Sequence, residues 1–245
     1  MKKIWIVTLF PEYFEPLKNC GITGSALRGE RDVVLEVNCI NPKNFTPKNF
    51  KGVDDTPYGG GPGMVMRADV LKDTLTNGII IPHGYEENFK EKLHVVFPGP
   101  RGKTWNNSYC KDFAKRFNAE SEKDLVFICG RYEGIDERFL ELYVDEQISL
   151  GDFILTGGEI PTMAIIDSFM RFFDGVLGNR ESAELESFQT NRLEHPQYTR
   201  PKVFDGLEVP EVLTSGNHKK IEEYQKDEAL RITKIHRPDL LEKDK

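Results

Sequence analysis

The sequence predicts an α/β protein that carries a smaller, mainly helical second domain. Up to about Phe173, short apolar runs alternate with stretches of helical periodicity, the order that builds a sheet flanked by helices. Several runs are apolar almost without interruption, as in strands of a parallel sheet buried on both faces. Beyond Phe173 the chain turns polar and proline-punctuated, and it ends in a long charged segment with a helix-start signal.

The elements follow in order. Ile4–Phe10 is a first strand, stopped by Pro11-Glu12. With no small-residue cleavage site behind it, the run does not fit a secretory signal. Further strands are expected over Val33–Ile40, Leu93–Phe97, Leu125–Cys129 and Gln147–Leu150. Helical patterns lie between and after them at Ala68–Asn77, Ser108–Asn118, Ile135–Tyr143 and Ile160–Phe173. "DGVLGNRESAELESFQTN" has no clear period and reads as a linker. The expected organisation is a first domain over 1–177, a linker over 178–192 and a second domain over 193–245. In the second domain Asn217 is the expected N-cap of the long charged helix.

Composition narrows the class. The chain has 245 residues, 38% hydrophobic and 30% charged, enough apolar material for a sizeable core. A net charge of −7 argues against a generic nucleic-acid coat but leaves room for a local basic groove. Cys20, Cys39, Cys110 and Cys129 show no C-x-x-C pairing and the histidines no metal-ligand spacing, so buried free thiols and no metal site are expected. No apolar stretch approaches the length of a membrane span. A cytoplasmic protein is expected.

Four glycine-containing stretches are candidates for a site. "PYGGGPGM", Pro57 to Met64, allows close backbone approach but matches neither a Walker loop nor a dinucleotide fingerprint; a flexible surface loop and a binding loop both stand. "CGRYEG" follows the strand ending at Cys129, where α/β sheets bind ligands; the alternative is a charged connector. "LTGGEIP" precedes a helix with Pro161 in its first turn, and "FPGPRG" follows the Leu93–Phe97 strand. Three glycine-bearing strand ends without a phosphate-binding signature suggest one composite pocket for an adenosyl group lacking phosphates. The helix from Ile160 is apolar almost all round, which calls for burial in the core or against a second subunit. On it Arg171 is either the i, i+4 partner of Asp167 or a charge that needs an anionic ligand.

Taken together, "TLFPEYF", "VDDTPYGGGPGM", "CGRYEGIDERF", "GDFILTGGEIP", "GVLGN", "HPQYTRP" and "VPEVLTSGNH" resemble, in order, the bacterial tRNA (guanine-N1)-methyltransferase family TrmD of the SPOUT superfamily. The resemblance implies an α/β SPOUT fold with a deep trefoil knot, an exception to the usual absence of knots. It also implies methyl transfer from S-adenosyl-L-methionine to N1 of guanosine 37 of tRNA, just 3′ of the anticodon. A homodimer with shared active sites, a C-terminal domain that docks on tRNA and a magnesium dependence are implied as well. Two other readings are a methyltransferase acting on another RNA site and a non-catalytic RNA- or nucleotide-binding protein.

Carried over by motif, the cosubstrate positions are Phe97, Pro98, Gly99, Gly130, Tyr132, Glu133, Gly134, Ser149, Gly151, Leu155, Gly157, Gly158 and Pro161. Asp55 and the loop with Tyr58, Gly59, Gly60, Gly61 and Gly63 correspond to the region that helps hold the target nucleotides. Arg171 corresponds to the catalytic arginine, and Glu186 stands at the catalytic base. Two departures mark this chain. The family pattern has Ser-Pro-Gln-Gly where Gly99-Pro100-Arg101-Gly102 stands, which alters one cosubstrate contact and spares the backbone ones. It has Asp-Ser-Phe where Glu186-Ser187-Phe188 stands, with "GVLGN" and "YTRP" fixing the register. Glu184, two residues earlier, keeps the reading of a solvated acid.

Overall fold

The structure is a computed structural model, and it describes residues 2–33, 35–49, 52–118, 123–177 and 186–244. The chain divides into two compact units, Met1–Gly178 and Asn179–Lys245, and each is described by itself.

The first unit is built on five parallel strands in the order β2-β1-β6-β5-β7. These are β1 (Lys2–Val7), β2 (Leu35–Ile40), β5 (Leu93–Thr104), β6 (Asp124–Ile128) and β7 (Glu146–Ser149). A separate short ladder pairs β3 (Asp54–Asp55) with β4 (Val65–Met66), antiparallel. The helices are α1 (Glu15–Asn19), α2 (Gly21–Leu27), α3 (Ala68–Leu75), α4 (Phe89–Lys92), α5 (Asn107–Arg116), α6 (Glu137–Tyr143) and α7 (Glu159–Met170).

Alternation along each strand feeds two cores. From β1 and β6, Ile4, Ile6 and Phe127 join Phe14, Phe113 of α5 and Phe169 of α7 on one face of the sheet. Trp5, Val7, Val126 and Ile128 join Leu71 and Leu75 of α3 and Phe139 of α6 on the other. Fully burying such a side chain contributes about 1.5–3 kcal/mol. This two-sided burial is why the strand sequences are apolar without interruption. The helix α7 is only half enclosed: Ile165, Ile166, Phe169 and Met170 are buried, whereas Ile160 is exposed. Cys110 and Cys129 are buried free thiols, but Cys20 is exposed, because it sits at the α1–α2 junction rather than in a strand.

The first strand ends at Val7 rather than Phe10, and β5 departs further from expectation. Instead of ending at Phe97, β5 runs to Thr104, with Pro98 and Lys103 both in register with Ile148 of β7. The residues between them are spliced into the strand as an excursion. In the second unit, the long helix is His218–His236, and the Asn217 side chain accepts a hydrogen bond from Lys220 N at 3.2 Å. A short hairpin, Val203–Phe204 with Leu207–Glu208, accompanies it. Among the described residues no helix is long and apolar enough to cross a membrane.

Candidate active site

A cavity of about 350 Å³ opens at the carboxyl ends of β6 and β7, beside the point where the excursion of β5 begins. Its walls are Phe97–Pro100, Gly130–Gly134, Ile148–Gly151 and Phe153–Gly158, with Pro161 from α7. Every cosubstrate position named from the motifs lies in these walls.

Glycine is what lets the walls interlock. Gly158 N donates to Gly130 O at 2.8 Å, and a Cβ on Gly158 would lie 2.7 Å from Cys129 Cα. A Cβ on Gly157 would meet Arg131 Nε at 2.4 Å, and one on Gly130 the Phe97 ring at 2.8 Å. Any side chain at these positions would prise the loops apart. Tyr132 adds local strain, standing at φ +58 on the cavity wall, a region that costs non-glycine residues energy and collects at functional sites. Burial, with the Asp54 charge beside it, raises the Tyr132 phenol above its ordinary pKa.

Behind the walls lies a polar clamp that sequence reasoning missed. Arg131 Nη2 is 2.9 Å from Glu159 Oε2, and the Glu159 side chain is 1% exposed. The other Glu159 oxygen accepts from Thr8 Oγ1 at 2.8 Å. Arg131 also donates to Thr156 O at 3.1 Å and lies 4.4 Å from the Phe10 ring centroid. The clamp ties the first strand, the β6 loop and the start of α7 around the cavity. The available signal was Glu159, a carboxylate at the head of an apolar helix, which needs a partner once buried. Burial, reinforced by the Glu159 charge, pushes the Cys129 thiol well above its ordinary range, so it is no nucleophile.

The glycine-rich loop sits alongside. Its base is β3–β4, and Met66 pairs in parallel with Ile135. Three backbone bonds make this seam: Glu133 N to Met64 O, Met66 N to Gly134 O, and Asp136 N to Met66 O, at 2.9–3.0 Å. Gly59, Gly60, Gly61 and Gly63 all have positive φ, which glycine adopts freely. Tyr58 is fully exposed. Asp55 and Tyr58 line a neighbouring groove of about 990 Å³ between α3 and α6 rather than the first cavity. Glu133 joins the two regions: it lines the first cavity and packs so closely on Gly63 that a Cβ there would lie 2.5 Å from its Cγ.

The two expected catalytic residues belong to different units. Arg171 follows α7 in the first unit, exposed and outside the cavity wall. Asp167, its candidate partner, accepts from Thr23 Oγ1 at 2.5 Å, fastening α7 to α2. Glu186 opens a turn in the second unit, where Glu186 O accepts from Gln189 N at 3.3 Å and Phe188 N donates to Arg192 O at 2.7 Å. Ser187 Oγ accepts from Glu194 N at 2.9 Å. Glu184 and most of the expected linker lie outside the described residues. Among the described residues no group of three or more His, Cys, Asp or Glu side chains is arranged to hold a metal ion.

A parallel sheet with a cavity of this size at its strand ends defines an α/β protein with room for a small ligand where such sheets bind one. Comparison with known proteins makes this specific. The family model described as tRNA (Guanine-1)-methyltransferase TrmD matches residues 1–243. A tRNA (guanine-N(1)-)-methyltransferase of Lactobacillus delbrueckii subsp. bulgaricus is 45% identical over 97% of this chain and 88% of its own length. Proteins of the same description from Actinobacillus succinogenes and Clostridium botulinum are 44% and 47% identical, each over 98% of this chain and over 91% and 92% of their own lengths. The chain belongs to the tRNA (guanine-1)-methyltransferase TrmD family.

Proposed function

We propose that the protein transfers the methyl group of S-adenosylmethionine to N1 of guanosine 37 of tRNA. The observation that carries this is the interlocked glycine cavity, closed by the Gly158–Gly130 bond. Its fit to an adenosyl group rests on two features. Apolar residues, Phe97, Leu150 and Leu155 among them, line it, and Gly134, whose missing Cβ would point into open space, leaves its backbone accessible. The bound cosubstrate supplies a methyl group already activated on a sulfonium.

Guanine N1 carries a proton and is a poor nucleophile until it leaves. The Glu186 carboxylate takes that proton as general base. Charge then spreads toward O6, where the Arg171 guanidinium stabilises it. The N1 electron pair forms the new bond to the methyl carbon as the carbon–sulfur bond breaks. Asp55 and the Tyr58–Gly63 loop hold the flanking nucleotides, and the second unit docks on the tRNA. The first unit takes the family's deep trefoil knot. A magnesium dependence belongs to the reading, although among the described residues no group of three or more His, Cys, Asp or Glu side chains is arranged to hold the ion.

The reading includes a cytoplasmic homodimer in which the Glu186 of one chain serves a cavity shared with its partner. The apolar rim supports this: Phe153, Ile154 and Ile160 are 56%, 81% and 44% exposed beside the cavity, a surface that a second copy would cover.

The test is methyl transfer from labelled S-adenosylmethionine to unmodified tRNA. Glu186→Ala is expected to lose roughly 10²–10⁴ in rate, Glu186→Asp to stay active, and Glu184→Ala to be near normal. Arg171→Ala should bind the cosubstrate and turn over poorly. Full activity in Glu186→Ala would remove the base assignment. Primer extension locates the product, because N1 methylation blocks pairing; a stop away from position 37 would favour another RNA site.

A further inference from the structure

The excursion spliced into β5 has a single described side-chain tie at its tip. Its limbs are seated close: a Cβ on Gly102 would lie 2.3 Å from Ile148 N, and one on Gly99 2.5 Å from the Phe97 ring. Between them Pro100 lines the cavity. Arg101, next along, reaches across to Glu137, with Nη2 2.6 Å from Oε2. Glu137 is the first residue of α6 and stands on fixed ground. Asp136 before it accepts from Arg138 N at 3.0 Å, and its own N–H donates to Met66 O at 3.0 Å. Three residues before Glu137 comes Gly134, part of the facing cavity wall. The pair therefore links one wall of the cavity to the segment that carries the other.

We propose that Arg101 and Glu137 form a clasp that holds the Gly99–Gly102 excursion against the cavity and slows escape of the adenosyl cosubstrate. The proposal rests on the cavity being the cosubstrate site. The clasp touches no reacting atom; Arg101 and Glu137 are positioning residues. Their side chains are 60% and 53% exposed, so the pair is worth the modest energy of a surface ion pair and is screened by salt.

The experiment is S-adenosylmethionine binding to the full chain by calorimetry, with release rates by stopped flow, for wild type, Arg101→Gln, Glu137→Gln and the swapped Arg101→Glu/Glu137→Arg. At an ionic strength of about 50 mM each single variant should raise Kd about two- to fivefold, mainly through faster release, and at about 0.5 M the difference should close. The swap should restore the wild-type value. In turnover of Arg101→Gln, KM for the cosubstrate should rise while kcat at saturation holds. Equal release rates in Arg101→Gln and wild type at low salt, or a swap that restores nothing, would overturn the clasp. A wild-type chain that does not bind S-adenosylmethionine would overturn the cosubstrate reading of the cavity instead.

Discussion

Glu146 and Ser149 stand at opposite ends of the same short strand, in very different surroundings. At the amino end, Glu146 is packed among side chains. His94 Nε2 lies 2.7 Å from it, Arg116 Nη2 lies 3.0 Å from it, and the Tyr109 hydroxyl donates to it. At the carboxyl end, Ser149 belongs to a glycine-containing wall around a cavity. Polar chemistry at the first end is used up inside the protein. At the second, among the described residues, the Ser149 hydroxyl bonds only to the backbone of Gly151, and the clearance beside it leaves room for whatever enters. Charge at the first end thus serves the fold, and clearance at the second opens the cavity.

The largest effect is expected where clearance is removed. Gly158→Ala places a Cβ 2.7 Å from Cys129 Cα, against backbone that cannot swing away. Parting the two loops by about 1 Å should cost roughly 10²-fold in methyl transfer, with cosubstrate affinity falling in a direct binding assay. Near-normal binding by this variant would break the contrast between the two ends.

Removing charge at the amino end should do the opposite, lowering stability and sparing the site. Glu146→Gln breaks a largely buried pair, at about 3 kcal/mol, or roughly 6–12 °C in Tm, with cosubstrate affinity unchanged. The pH dependence sharpens this. Burial alone pushes the Glu146 carboxyl up, but hydrogen bonds from His94, Arg116 and Tyr109 outweigh it and hold it at about 2, against an ordinary value of 4.5. A depressed folded-state pKa stabilises the fold above the unfolded value, and that contribution is lost as pH falls from 4.5 toward 2. Urea midpoints of wild type and Glu146→Gln should therefore converge over that window. A constant gap would mean that Glu146 acts through packing rather than charge.

The same contrast explains what the sequence disclosed. The strands were legible because both faces are buried, with Ile4 and Ile6 on one side and Trp5 and Val7 on the other. The full length of β5 was not, because nothing local says that Lys103 returns to the register of Pro98. The hairpin at Val203–Glu208 carried a signal that was passed over. Asp205-Gly206, with φ +50 and +81, is a favoured two-residue turn. Cavity walls were legible as glycine at strand ends. The Arg131–Glu159 clamp was not, since its partners lie 28 positions apart and meet only because Gly158 docks on Gly130. The proposed role of Glu186 rests on the family pattern alone; "AELESF" contains no local mark of a base.

The smallest effect separates two uses of glycine at the carboxyl end. Gly59 has φ +88, but a Cβ there meets nothing within 4 Å. Gly59→Ala thus meets conformational strain without a clash, about 1 kcal/mol in an exposed loop. Since the loop borders the groove rather than the cavity proposed for the cosubstrate, the variant should bind S-adenosylmethionine normally while its KM for tRNA rises. Gly158→Ala should show the reverse order of damage, with cosubstrate affinity failing first. If both variants lose cosubstrate affinity alike, the glycine loop and the cavity move as one body, joined through Glu133 and Gly63, and the division between a donor cavity and a nucleotide groove falls.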